Sequence, residues 1–146
     1  MVEDRLTDLG LELPGPFAPH EPLEAVVVHH GTARTSGCLP RDAEGTLHAT
    51  GILGREVSVE AGIECAALCA QNALSLLRAE LGTLDRIDRA LTLTVFIACT
   101  DVFVAQPVVA DGASKVLADV FGDAGRHSRS AIGVAALPRG APVEVE

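Results

Sequence analysis

The last eighteen residues are Arg129-Ser-Ala-Ile-Gly-Val-Ala-Ala-Leu-Pro-Arg-Gly-Ala-Pro-Val-Glu-Val-Glu146. Their alternation predicts a strand from Ser128 to Leu137, a turn at Pro138-Arg139-Gly140 and a closing strand from Pro142 to Glu146. Successive side chains of a strand point to opposite faces, so Arg129 shares a face with Ala131, Gly133 and Ala135. All three neighbours are small, which predicts a roomy face, and Ile132 and Val134 then form the core-like one. In the closing strand Val143 and Val145 face the core and Glu144 points away.

Working upstream, Ala113–Phe121 reads as a helix stopped by Gly122. Ala90–Cys99 alternates Leu91, Leu93, Val95 and Ile97 against Thr92, Thr94 and Phe96, a strand with one buried face. Before it lies the longest helical pattern. Ser58 is suited to N-cap it, and Ile63, Ala66, Ala67, Ala70, Leu74, Leu77 and Leu81 recur at three- and four-residue spacing up to Gly82. Ala25–His30 and Ala33–Ser36 read as two strands around a turn at Gly31, and Thr46–Thr50 as a third short strand. Residues 3–9 form a short helix with Leu6 and Leu9 inward, and the prolines 14, 16, 19 and 22 mark an extended lead-in. The prediction is an α+β fold, one mainly antiparallel sheet with two helices on one face, in a single domain over residues 1–146. Residues 1–22 are its helical and Pro-rich lead-in.

Composition narrows the function. The chain of 146 residues carries 20 Asp and Glu against 11 Lys and Arg, a formal charge of -9. Binding to a nucleic-acid backbone draws on clustered Lys and Arg, and here the one lysine is Lys115, so nucleic acid is not an expected partner. No apolar run reaches the roughly 18 residues of a membrane span. The opening Val2-Glu3-Asp4-Arg5 lacks the basic and apolar regions of a secretory signal, which predicts a cytoplasmic protein.

Cys65 and Cys69 lie four apart on one helix face, without the second pair that zinc sites use. They read as small buried thiols, whereas Cys38, in the Ser-Gly-Cys-Leu-Pro turn, is a reactive or an inert thiol. The consecutive His29 and His30, in a strand, should face opposite ways. His127, two residues before Arg129, is a ligand contact or a solvated loop residue. No metal site is expected.

The quoted C-terminal stretch resembles the closing signature of the RidA (YjgF-type) family. Thr35-Ser-Gly-Cys-Leu-Pro40 is similar to that family's S-G-Q-x-P turn. The long helix followed by Leu84-Asp-Arg-Ile87 and Leu93-Thr-Val-Phe96 resembles its central helix–strand unit. The resemblance spans nearly the whole chain, and the additional opening segment resembles a longer branch of the superfamily. It implies a chorismate-mutase-like fold, a homotrimer with ligand clefts between subunits, and no cofactor. The activity it implies is hydrolysis of 2-imino and enamine acids to 2-keto acids and ammonia; some members have been named endoribonucleases.

It also implies a site. Arg129 would grip the ligand carboxylate, as a planar, permanently charged guanidinium does well, unless it is only an ion-pair residue. Glu144 would place the attacking water, unless it is a solvated strand residue. Ser36, Gly37, Cys38, Ser114 and Ala131 fall at ligand-contacting positions. The chain departs from the family pattern at several of them. The family's tyrosine falls near Leu23, its turn glutamine at Cys38, its helix asparagine at Ser114, and the cysteine following the arginine at Ala131. A binding trimer without catalysis is the alternative reading, and the charge speaks against a ribonuclease.

Overall fold

A computed structural model describes all 146 residues. Helix α1 spans Val2–Asp8, followed by the hairpin strands β1 (Val26–His29) and β2 (Thr32–Thr35). Helix α2 (Val59–Leu81), strand β3 (Thr92–Ala98), helix α3 (Gln106–Phe121), β4 (Ser128–Val134) and β5 (Val143–Val145) complete the order.

The sheet is mixed. β3 is central, antiparallel to β5 but parallel to β4, with Leu93 opposite Arg129 and Phe96 opposite both Ile132 and Glu144. The strand pairings are mainly antiparallel, as expected, with β3–β4 the one parallel pair of strands. Parallel neighbours need a long crossover, and α3 is that crossover. β1 and β2 form their own antiparallel ladder. Cys38 joins it to β5, its N–H donating to the Val145 carbonyl (2.8 Å) and its carbonyl accepting from Val145 N (3.0 Å).

Helix α2 follows its sequence pattern. Ser58 Oγ accepts from Ala61 N at 3.1 Å, and Gly82 ends the helix at φ 82°. Cys65, Ala66, Cys69, Ala70 and Leu74 face the core with Leu93, Val95, Ile97, Val143 and Val145 from the sheet. Burial pushes the Cys65 thiol up to about 11 and the Cys69 thiol well above its usual range, so both are inert apolar groups.

Helix α3 begins seven residues before the predicted Ala113, at Gln106. Pro107 stands in its first turn, where a missing N–H costs nothing. The inward stripe then runs Val109, Ala110, Ala113, Val116, Leu117 and Val120. Gly112 lets α3 lie directly on α2, since a Cβ there would fall 2.1 Å from the Ile63 carbonyl oxygen.

Several local expectations are corrected. Thr46–Thr50 forms no strand; the Asp42 carboxylate accepts from Glu44 N and Thr46 N (3.0 and 2.9 Å) and curls the chain into a turn. β4 stops at Val134, short of Leu137, and Leu9 ends α1 half exposed instead of packing inward. His30 lies in the hairpin turn with φ 48°, beside Gly31 at 74°, a left-handed pair that matches strand twist. This brings the rings of His29 and His30 to 4.1 Å instead of sending them to opposite faces. The core-facing side of β4 is also reversed. Ile132 is 42% exposed, whereas Ala131 packs on the core.

Candidate functional site

The sheet register separates the predicted residues into two clusters. Arg129 is paired with Leu93, and Leu93 is buried beneath the helices, so Arg129 lies on the helix-covered face. Glu144 is paired with Phe96 and flanked by the buried Val143 and Val145, so it lies on the open face. Within one chain Arg129 and Glu144 do not meet.

The arginine cluster stands between α3 and β4. Arg129 Nη1 donates to Asp111 Oδ1 (2.9 Å) and Ser114 Oγ (3.0 Å), and Nη2 donates to the Pro107 carbonyl (3.3 Å). Asp111 and Ser114 are one helical turn apart on α3, which is why both reach the same guanidinium. Ser114 Oγ also lies 3.0 Å from His127 Nε2, and His127 Nδ1 lies 2.6 Å from the Gly125 carbonyl oxygen. Ser114, Ala118, Gly125, Arg126, His127 and Arg129 line a depression of about 440 Å³ open to solvent. The Arg129 side chain is 21% exposed and that of Asp111 is 68% exposed, so Asp111 covers the guanidinium from outside.

The face expected to be roomy is filled further along. A Cβ at Gly133 would lie 3.0 Å from both Cys99 Sγ and Gln106 Nε2, and Ala131 is packed on the core. The small residues of β4 admit the start of α3 instead of leaving space. Ala131 therefore lies on the face of Arg129 but does not line the depression.

The glutamate cluster is built on the turn after β2. A Cβ at Gly37 would lie 2.1 Å from Glu144 Oε1, so the carboxylate rests directly over the Gly37 backbone. Burial, then the neighbouring Glu146, raises Glu144 above the usual carboxylate range. Ser36 Oγ donates to the Glu24 carbonyl at 2.6 Å and is committed to holding the turn. The Cys38 side chain is buried with Val26 and Leu76, its thiol pushed up to about 12 by burial and then by Glu144. Its bridge to Val145 positions the turn beneath Glu144.

Sequence reasoning named Arg129 and Ser114 but not Asp111, which the structure places beside them. The signal was its i, i+3 spacing from Ser114, concealed because the helix was expected to begin only at Ala113. Leu23, at the place of the family tyrosine, is 53% exposed.

A family model described as "YjgF/chorismate mutase-like, putative endoribonuclease" matches residues 3–142. The chain is 40% identical to Protein TCP17 of Trypanosoma cruzi over 146 residues, covering 99% of this chain and 91% of that one. The crystal structure of Atu1372, a protein of unknown function from Agrobacterium tumefaciens, is similar with a TM-score of 0.89 and 38% identity, over 99% of this chain and 89% of that one. A crystal structure described as a putative endoribonuclease from Shewanella oneidensis gives 0.94 and 32%, over 99% and 95%. More distantly, E. coli TdcF, solved with bound serine, shares the fold at a TM-score of 0.62 and 20% identity, over 91% and 92%. With residues 3–142 matched, the chain belongs to the YjgF/chorismate-mutase-like family.

Proposed function

We propose that this protein is a cofactor-independent hydrolase of small 2-imino or enamine acids, releasing 2-keto acids and ammonia. The observation that carries the reading is Arg129, a partly buried guanidinium facing a solvent-open depression beside Ser114 and His127. A guanidinium there can take a planar carboxylate through two parallel hydrogen bonds. Glu144, raised by burial, is suited to accept a proton from water. Because Arg129 and Glu144 lie on opposite faces of one sheet, a single site using both draws them from two copies. That requirement supports a homotrimer with clefts between subunits. The cytoplasm, where amino-acid metabolism generates such imines, is the proposed location.

Leu23 and the buried Cys38, standing at the family's tyrosine and glutamine positions, favour one alternative, a trimer that binds small carboxylates without turning them over. Nucleic acid is a poor fit to a chain of formal charge -9. The deciding experiment follows decay of 2-iminobutyrate generated in situ. Wild-type protein should accelerate it and Arg129→Ala should not; equal decay with wild type, variant and buffer would sink the reading. Saturable 2-oxobutyrate binding without turnover would select the alternative.

A further inference from the structure

We infer that Ser114 and His127 form a proton relay to the imine nitrogen of a 2-imino acid held at Arg129. The inference rests on the deaminase reading above and adds to it the group that handles the proton.

The Gly125 carbonyl only accepts, so His127 Nδ1, 2.6 Å away, carries a hydrogen in either charge state. In the neutral ring Nε2 is then a lone pair, and Ser114, 3.0 Å away, donates its hydroxyl hydrogen to it. Arg129 Nη1 meanwhile donates to Ser114 Oγ at 3.0 Å. When His127 takes a proton, Nε2 becomes a donor and the bond reverses. Ser114 Oγ then accepts from both His127 and Arg129, which fills its two lone pairs. Its own hydrogen must turn elsewhere, and the depression lined by these residues is the open direction. The charge on the imidazole thus sets whether the serine hydrogen is held inward or offered to a ligand.

The parts are held rigidly. Gly125 is buried and so close to α3 that a Cβ would fall 2.2 Å from the Leu117 carbonyl oxygen, which fixes the carbonyl that orients His127. The charged groups around the pair are Arg126 and Arg129 from β4 and its lead-in, Asp111 and Lys115 from α3, and Asp123 from the preceding turn. Most are engaged: Asp111 with Arg129 at 2.9 Å, Lys115 with Asp119 at 2.6 Å, and Arg126 with Asp123 at 3.8 Å. All of this lies on the Arg129 face, away from Glu144, so the two acid–base groups approach a ligand from different sides.

The steps balance. Ser114 gives its hydrogen to the imine nitrogen and takes one from the His127 imidazolium, leaving an iminium and a neutral ring. Water adds to the carbon while its proton is accepted on the Glu144 side, giving a carbinolamine. The proton taken on the Glu144 side returns to the nitrogen, and the C–N bond breaks as ammonia leaves. The hydroxyl proton passes back through Ser114 to His127, so the carbon keeps oxygen as the keto group and both acid–base groups regain their starting states. Net, one imine and one water become one keto acid and one ammonia. Ser114 touches the ligand; His127 acts through it and is a positioning residue.

The test combines turnover with binding. Ser114→Ala and His127→Gln should lower kcat for 2-iminobutyrate about 10²-fold, the scale of a positioned acid–base group. Ser114→Thr, which keeps the hydroxyl, should recover most of it. Wild-type kcat should depend on pH through the pair, and His127→Gln should remove that dependence. Independently of turnover, the C2 oxygen of 2-oxobutyrate stands in for the imine nitrogen and accepts the Ser114 hydrogen. Its affinity, read by calorimetry, should strengthen as pH falls in wild type, show no such slope in Ser114→Ala, and vanish in Arg129→Ala. Wild-type kcat and an unchanged pH slope in the Ser114→Ala and His127→Gln proteins would overturn the relay. A wild type that turns over no imine yet binds with a Ser114-dependent slope would overturn the deaminase reading and with it the relay to an imine, while keeping Ser114 as the donor to the ligand.

Discussion

Arg129 and Glu144 lie on opposite faces of one three-stranded ladder, the first in register with Leu93 and the second with Phe96. If one site needs both, neighbouring copies must supply them. Arg129→Ala and Glu144→Ala should each be inactive alone. Unfolded together in equal amounts and refolded, they should recover about a quarter of wild-type activity, because in a cyclic assembly that fraction of interfaces pairs an intact arginine with an intact glutamate. No recovery on mixing would show that the two residues do not share a site.

Asp111 competes for the guanidinium that a ligand would use. It lies 2.9 Å from Arg129 Nη1 and is largely exposed, so its own pairing energy is small. Asp111→Asn should tighten 2-oxobutyrate binding by about threefold to tenfold with little change in Tm. Arg129→Ala should weaken it by at least about tenfold, the scale of a charged hydrogen bond. Isothermal titration of both variants checks the pair.

Gly37 lies beneath Glu144 so closely that a methyl group would overlap the carboxylate. Gly37→Ala has an ordinary backbone to work with, and the atom in its way ends a flexible side chain. The substitution should cost less than about 1 kcal/mol of stability. Activity should fall about tenfold or more as the carboxylate is displaced. Thermal unfolding and kcat together separate the two effects.

Glu144 also predicts a pH dependence of stability. Its folded-state titration is raised by burial and Glu146, so the folded protein holds this proton more tightly than the unfolded chain. The contribution is complete below the ordinary carboxylate range and is lost as pH rises through the raised value. Glu144→Gln stays neutral throughout. Its Tm relative to wild type should therefore increase from acid to neutral pH, a slope that differential scanning at several pH values will read.

The N-terminal helix is fastened by two carboxylates. Glu3 takes Arg78 in a forked pair (3.2 and 2.7 Å) and accepts from Leu84 N at 2.9 Å, whereas Asp85 accepts from Val2 N and Glu3 N. The Leu84 N–H, opposed by burial and aided by Arg78, holds Glu3 below the usual carboxylate range. Its stabilisation is present above that range and fades as pH falls through the lowered value. Glu3→Ala and Asp85→Ala should each cost about 1 kcal/mol, the scale of a lost cap or of a hydrogen-bonded ion pair. Proteolysis within residues 1–13 should accelerate in both.

Periodicity alone was enough for α2, because a long stripe of apolar residues between Ser58 and Gly82 has one helical solution. It was also enough for most of β3, whose buried Leu93, Val95 and Ile97 alternate with more exposed Thr92, Thr94 and Phe96, although Leu91, expected on the buried face, lies before the strand and is exposed. The start of α3 was hidden by Pro107, which resembles a break until its place in the first turn is known. Ile132 misled because an isoleucine on a strand reads as core, whereas only the partner strands decide which face of β4 is covered.

The sequence by itself determined the long helix, the central strand, the family signature and Arg129 with Glu144 as the residues to watch. Strand alternation is a local property, so it could say that Arg129 shares a face with Ala131 and that Glu144 opposes Val143 and Val145. It could not relate the two strands to each other. That relation is set by register through β3, which neither segment encodes alone, and it places the arginine under the helices with Asp111, Ser114 and His127 while leaving the glutamate over Gly37. Tertiary pairing decided that Arg129 and Glu144 stand on opposite faces of the sheet.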